Sequence, residues 1–175
     1  MKKQIVMCFT LLMGSVLVLA QSTPMENMKK EKMANRTFEQ IKELIDGGQY
    51  EFVADRLISS TGFSNSLVTN PNTIRVHGEM VKVFLPYFGE VRANSPYQVD
   101  GGIKYEGSME NYSVEYRDAK RRAIIKFTID RGIEEHNFIF TVNKSGQTRV
   151  TVISSGRTSI SYYGNTSAPD EDWVD

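Results

Sequence analysis

The chain has 175 residues, with 21 basic and 21 acidic side chains and a formal net charge of zero at neutral pH. Such a balance gives no electrostatic basis for binding nucleic acid, whose phosphates attract strongly basic proteins. The single cysteine, Cys8, excludes an internal disulfide and any metal site built from several thiolates. A chain of this size buries about 70% of its unfolded surface, which is enough for one domain held by an apolar core.

Residues 1–20 have the pattern of a secretory signal peptide. Lys2 and Lys3 precede an apolar run from Ile5 to Leu19, and Ala20 offers a small side chain at the expected cleavage position. The run is shorter than the roughly 20 residues that cross a bilayer as a helix. We therefore expect export with cleavage after Ala20 and no transmembrane segment in the mature chain, a retained N-terminal anchor being the alternative.

Cleavage at this position would change the composition of the mature chain. Loss of Lys2 and Lys3 from the 21 basic residues leaves 19 against 21 acidic ones, a formal net charge of about −2. Cys8 would be removed as well, and too few apolar residues precede it for it to be the acylated cysteine of a lipoprotein. The mature protein is thus predicted to be free of disulfides and of thiol chemistry.

One helix is predicted before the strands begin. Residues 21–35 are interpreted as a spacer or frayed helix, and Arg36 to Asp46 as the packed helix. From Ala34 to Ile45, apolar side chains recur at spacings of three and four residues, which places them on one helix face. The members of this stripe are Ala34, Phe38, Ile41, Leu44 and Ile45. Gly47 and Gly48 provide the stop signal.

After Gly48 the apolar period changes to two, which is typical of half-buried strands. The alternating apolar sets are Tyr50, Phe52 and Ala54; Val81, Val83 and Leu85; Tyr112, Val114 and Tyr116; Ile125, Phe127 and Ile129; Phe138, Phe140 and Val142; Val150 and Val152; and Ile160 and Tyr162. Short turns separate them, at His77-Gly78, Gly101-Gly102, Asp118 to Lys120, Asp130 to Gly132, Lys144 to Gly146 and Ser155-Gly156. Connections this short join antiparallel neighbours only.

The predicted fold class is therefore α+β and mainly antiparallel β. We expect eight or nine strands in a curved meander sheet or a partly closed β-barrel, with the N-terminal helix packed on it. Residues 36–166 are predicted to form a single β-rich domain, followed by an acidic tail over 167–175.

Several local patterns resemble a known family. They are Tyr50-Glu51-Phe52, Leu85-Pro86-Tyr87-Phe88-Gly89, Asp100-Gly101-Gly102-Ile103, Met109 to Val114, and Ser159-Ile160-Ser161-Tyr162. Over roughly residues 37 to 164 the chain is similar to the domain-of-unknown-function family numbered 4251, which consists of exported bacterial proteins. The resemblance implies a small stand-alone domain in the periplasm or cell envelope of a Gram-negative bacterium, and it implies no activity, cofactor or site residue.

Aromatic residues beside Pro86 are the sharpest candidates for a ligand-binding site. Pro86 ends a strand because it cannot donate to the ladder, and this displays Tyr87 and Phe88 at the strand end. With Tyr97 they form a hypothetical aromatic lip over a ligand cavity. The alternative is a core plug with both rings packed inward, which the usual burial of large aromatic side chains favours.

Two further candidate sites involve metal-type ligands. Asp100 is a candidate ligand-binding residue beside Tyr87, Phe88 and Tyr97, and it precedes two glycines. A calcium site usually needs several carboxylates and this segment offers one, so a turn is the favoured interpretation. His77 and His136 could bind zinc with Glu79 or Glu135 if their strands adjoined, but ordinary surface histidines are favoured. No metal and no cofactor are therefore predicted.

Catalytic and charged motifs are equally sparse. The serines, Ser154 and Ser155 among them, occur in no nucleophile elbow, and the sequence predicts no catalytic residue. Lys120, Arg121 and Arg122 cluster at a hairpin tip, where a phosphate or lipopolysaccharide contact is the alternative to a solvated turn.

The first functional hypothesis is a non-enzymatic ligand-binding or protein-interaction domain of the envelope, for an apolar ligand, a glycan or another envelope protein. One alternative is a carboxylate-dependent hydrolase of envelope or dietary polymers. A second is a structural or assembly role through edge-strand pairing. Nucleic acid is not an expected partner.

Overall fold

The computed structural model describes residues 37–68, 72–90, 102–132 and 134–169. They form one helix and ten strands: α1 Phe38–Asp46, β1 Gln49–Ser59, β2 Ser64–Ser66, β3 Thr73–His77, β4 Met80–Pro86, β5 Gly102–Ser108, β6 Glu110–Arg117, β7 Arg122–Asp130, β8 Glu135–Asn143, β9 Gln147–Ser154 and β10 Ile160–Ser167, with a 3-10 turn, Asp118–Lys120, before β7. The predicted signal peptide and spacer lie outside the described residues, as does residue 170 onward. None of the described helices is long and apolar enough to span a membrane.

All strands belong to one antiparallel sheet with the order β5-β4-β3-β1-β10-β9-β8-β7-β6, and β2 pairs with the far half of β1. The two edge strands β5 and β6 are separated in the chain by Met109 alone. Because one residue joins the end of β5 to the start of β6, the sheet must curl to bring these two strand ends together, which gives the observed half-barrel. The predicted α+β, mainly antiparallel fold with an N-terminal helix is confirmed.

The helix begins and ends where its residues provide caps. Thr37 forms a capping box with Gln40, and Gly48 takes a positive φ of 66° just after the last turn. Phe38, Ile41 and Ile45 are buried, as the apolar stripe predicts. The Phe38 ring meets Tyr116 of β6 edge-on at 6.4 Å, so α1 packs where β1 begins and β6 ends.

Apolar side chains from the inward positions of the strands fill the interior of the curl. The Phe127 and Phe138 rings stack at 4.9 Å, and Phe140 meets Phe52 edge-on at 5.9 Å. Other members at most 2% exposed include Ile125, Val142, Val150, Val152, Ile160 and Tyr162. These are the positions that the period of two predicts, so the alternation correctly identifies the core face of β7 to β10.

Three details differ from the prediction. The sheet has ten strands because β2, a Ser-Asn-Ser segment without apolar alternation, pairs with β1. Gly102, predicted in a turn, begins β5 and pairs with Pro86. Tyr112 is 39% exposed, because β6 is an edge strand whose first half lacks a regular partner register.

Candidate functional site

A groove of about 520 Å³ lies on the outer face of the sheet, across β7 to β10 and β1. We call it the arginine groove. Its lining consists of Asp55, Arg56, Arg122, Thr141, Asn143, Gln147, Thr148, Arg149, Tyr163, Gly164 and Asn165. Nine of the eleven residues are charged or carry an amide or a threonine hydroxyl group, so the groove suits a polar ligand.

Strand register places the central groove residues in one row. Arg56 pairs with Tyr163, Tyr163 pairs with Arg149, and Arg149 pairs with Thr141. The row thus crosses β1, β10, β9 and β8 with every side chain on the solvent side. Because each residue sits inside a strand, its backbone position is fixed by hydrogen bonds on both sides.

A β-bulge in β1 puts Arg56 on that outer face. Ala54 pairs with Gly164 and Arg56 with Tyr163, so Asp55 is an extra residue with no partner of its own. Both Asp55 and Arg56 therefore point outward, whereas strict alternation would have turned Arg56 toward the core. Gly164 permits the bulge, because a Cβ atom there would collide with the carbonyl oxygen of Val53.

The groove carries an excess of positive charge. Arg56, Arg122 and Arg149 oppose a single carboxylate, Asp55. None of the three guanidinium groups forms an ion pair with a described residue, whereas Arg75, Arg117 and Arg157 each do. The Arg56 guanidinium lies over the Tyr163 ring, 4.8 Å from its centroid. Three arginines are thus available to an anion from outside.

Amide and hydroxyl groups complete the lining. The Asn143 side-chain amide donates to Gln147 Oε1 at 3.1 Å, which holds both at the β8–β9 turn. Thr148 Oγ1 bonds to Gly146 O and Thr166 Oγ1. Thr141 and Asn165 also line the groove. Such groups can donate to and accept from the hydroxyls of a bound ligand.

A second cluster of charged residues lies inside the curl, and we call Glu134, His136 and Arg157 the buried charge cluster. All three are at most 3% exposed. Arg157 Nε donates to both carboxylate oxygens of Glu134, at 3.0 and 3.3 Å. His136 Nδ1 lies 2.7 Å from Ser154 Oγ, and its Nε2 lies 3.7 Å from Glu134 without a hydrogen bond.

His136 is therefore not the surface histidine that was expected. Burial lowers its pKa below the ordinary 6.5; Glu134 opposes this shift, and Arg157 and Arg131 add to it. Ser154, His136 and Glu134 include the residue types of a hydrolase triad, but Ser154 is only 6% exposed and Arg157 occupies the carboxylate. The cluster thus serves as a buried structural ion pair.

The two histidines considered as zinc ligands do not lie together. His77 is exposed on β3, and β1, β10 and β9 separate that strand from β8, where His136 lies. Among the described residues no three histidine, cysteine or acidic side chains are grouped as metal ligands.

The structure gives the two predicted aromatic residues different environments. Tyr87 is 6% exposed, its hydroxyl lies 2.9 Å from Thr158 O and 3.0 Å from Thr158 Oγ1, and its ring lies 5.0 Å from the Arg157 guanidinium. Phe88 is 46% exposed and faces the Phe63 ring at 6.3 Å. Tyr87 is therefore packed inward, as in the core-plug alternative, whereas the Phe88 ring is exposed at the strand end. Tyr97 and Asp100 lie outside the described residues.

The predicted basic cluster is divided. Lys120 belongs to the exposed 3-10 turn, Arg121 takes a left-handed φ of 45°, and Arg122 begins β7 and lines the groove. Sequence reasoning missed Arg56, Arg149 and Tyr163 altogether. The only signal was a basic or aromatic residue at an outward strand position, and such positions are common on any exposed sheet face.

Comparisons with known proteins agree on the family. The family described as "Domain of unknown function (DUF4251)" matches residues 32–166. A crystal structure of a DUF4251 family protein from Bacteroides eggerthii DSM 20697 is similar, with a TM-score of 0.61 and 13% identity over 78% of this chain and 91% of that chain. At that identity the likeness shows the fold alone. No curated protein matches the chain.

The family match covers most of the chain and includes every strand of the curled sheet except the last residue of β10. The sequence patterns that suggested this family, among them Leu85 to Gly89 and Asp100 to Ile103, lie within the same range. The chain belongs to the DUF4251 family.

Proposed function

We propose that this protein is an exported, non-enzymatic binding domain of the cell envelope whose ligand lies in the arginine groove. The observation that carries the proposal is the set of three arginines, Arg56, Arg122 and Arg149, which line one groove without an ion-pair partner among the described residues. A guanidinium offers five N–H donors in a fixed plane, and carboxylates, sulfates and phosphates accept them in pairs.

The size and rigidity of the groove support a ligand site. Its volume of about 520 Å³ lies within the range of roughly 300–1,000 Å³ typical of small-molecule sites. Arg56, Arg149 and Tyr163 all stand on paired strands, so binding need not order a loop. Less conformational entropy is then lost on association.

The lining supports binding rather than hydrolysis. A glycosidase needs two carboxylates flanking the scissile bond. The described lining offers one, Asp55. The hydrolase and assembly alternatives stay predictions, and the groove provides no argument for either.

Export rests on the basic and apolar pattern of residues 1–20. Cell fractionation of the native host tests it directly. We expect the protein in the periplasmic or membrane-associated fraction, shortened by about 20 residues at its N-terminus. Recovery of the uncut chain in the cytoplasm would contradict the proposal.

Binding is tested on the full protein purified after export, by titration calorimetry against panels of glycans, acidic peptides and fatty acids. The test variant is Arg56→Ala/Arg149→Ala, and the matched control is Lys104→Ala, an exposed cation on β5 away from the groove. We expect a ligand that binds the parent and the control but not the double variant. A ligand that binds all three equally would place the site elsewhere.

A further inference from the structure

The three arginines of the arginine groove lie on alternate strands of the sheet. Arg149 and Arg56 lie on β9 and β1, in register with Tyr163 of β10 between them. Adjacent strands are about 4.8 Å apart, so the two arginine backbones are about 10 Å apart. Arg122 lies on β7, two strands from Arg149 in the other direction, and it is displaced by two residues along the strands because it pairs with Asn143 whereas Arg149 pairs with Thr141.

From this arrangement we infer that the ligand is an acidic polysaccharide whose negative groups, carboxylate or sulfate, occur on alternate sugars and bind the successive arginines. The inference rests on the proposed function, because it names the ligand class for the same groove. Every second β-strand of the groove supplies an arginine. A polysaccharide in which charged and neutral sugars alternate would supply an anion for each of them.

The groups between the arginines suit the neutral part of such a chain. Thr141 and Asn165 can exchange hydrogen bonds with sugar hydroxyls, and Asn143 and Gln147 border the same groove. The backbones of Arg56 and Arg122 are four strand spacings apart, about 19 Å, so one small anion does not pair with all three arginines. A chain that crosses the strands engages all three.

Other linear polyanions fit less well. In an extended peptide, side chains on one face recur at about 6.7 or about 13 Å, whereas the backbones of Arg56 and Arg149 are about 10 Å apart. Single-stranded nucleic acid is usually bound by stacking its bases on aromatic rings. The only aromatic residue of the described lining is Tyr163, whose ring is already covered by the Arg56 guanidinium.

The test compares defined polymers by titration calorimetry on the full exported protein. The probes are hyaluronan, with a carboxylate on alternate sugars; chondroitin sulfate, which adds sulfate; dextran, which is neutral; poly-glutamate; and single-stranded DNA. We expect binding to hyaluronan, chondroitin sulfate or both, weakened by added salt as charges are screened. A higher affinity for chondroitin sulfate than for hyaluronan would show that the added sulfate groups contribute to binding.

Variants then connect binding to the row of arginines. Arg149→Ala should weaken binding about tenfold or more, since hydrogen bonds between charged groups are lost. Arg149→Lys should restore only part of it, because lysine keeps the charge but not the paired donors. Lys104→Ala should leave binding unchanged.

Opposite results separate this inference from the proposed function. Binding of dextran or poly-glutamate that is abolished by Arg56→Ala/Arg149→Ala would overturn the acidic polysaccharide while supporting the groove as a site. Equal binding of hyaluronan by the parent and the double variant would overturn both. Failure of both acidic polysaccharides to bind would overturn the inference alone.

Discussion

Glu134 and Arg157 form an ion pair inside the curl of the sheet, with Arg157 Nε at 3.0 and 3.3 Å from the two carboxylate oxygens. Arg157 Nη1 also lies 3.5 Å from the carbonyl oxygen of Gly102, and its guanidinium faces the Tyr87 ring. One side chain therefore connects the starts of β5 and β8 with the segment after β4.

Removal of one partner of this pair should be strongly destabilising. Arg157→Met leaves the Glu134 carboxylate buried without a counter-charge, and we expect a loss of about 3–5 kcal/mol in the free energy of unfolding. Urea denaturation at neutral pH measures it. Glu134→Met/Arg157→Met should recover most of the loss, because no unpaired charge then remains. A change below about 1 kcal/mol in the single variant would contradict the structural role.

The buried imidazole of His136 should make stability depend on pH. Burial lowers its folded-state pKa below the unfolded value of 6.5, so the unfolded chain binds the proton first as the pH falls. This contribution is complete above pH 6.5 and is lost as the pH falls through the folded-state pKa. Urea unfolding between about pH 8 and about pH 5 checks it. His136→Asn should flatten the dependence, and an unchanged slope would assign it to other groups.

Tyr87 and Phe88 are neighbours in sequence, but truncation should destabilise the protein much more at Tyr87 than at Phe88. Tyr87→Ala removes a buried ring and its bonds to Thr158, with an expected loss of about 3–5 kcal/mol. Phe88→Ala truncates a ring that is 46% exposed and should cost about 1 kcal/mol or less. Thermal denaturation of both variants compares them. Equal effects would mean that the two rings share one environment.

Gly164 should tolerate no side chain. The Cβ atom of alanine would meet the backbone of Val53 and Ala54, so β1 must shift, at an expected cost of about 1–3 kcal/mol. That shift also moves the bulge that orients Arg56, and ligand binding in the groove should weaken. Ser161→Ala, on the same strand, is the control and should cost about 1 kcal/mol. Chemical denaturation measures stability, and a Gly164→Ala variant as stable as the parent would show that the bulge adapts.

Most of the fold was predictable from local patterns. The period of two marks Phe127, Phe138 and Phe140 as core residues because strand side chains alternate between a solvent-exposed face and a buried face of the sheet. Helix spacing likewise identifies Ile41 and Ile45. Pairing of β1 with β10 was not predictable, because it joins opposite ends of the domain and no turn specifies it.

The candidate site was far less predictable. Arg56, Arg149 and Tyr163 come from strands that are distant in sequence, and only the register brings them into one row. The bulge at Asp55 reverses the orientation that alternation alone would give Arg56. Glu134 and Arg157 occupy connections between strands, where no period predicts burial.

The sequence by itself determined the helix, the class of sheet and its core face, because these follow from the spacing of apolar residues along neighbouring positions. It also determined the family, through patterns that lie within the matched residues. Only the tertiary structure decided which charges are buried and which are gathered in a groove. The physical reason is that burial and strand register depend on contacts between distant segments, which local spacing does not encode.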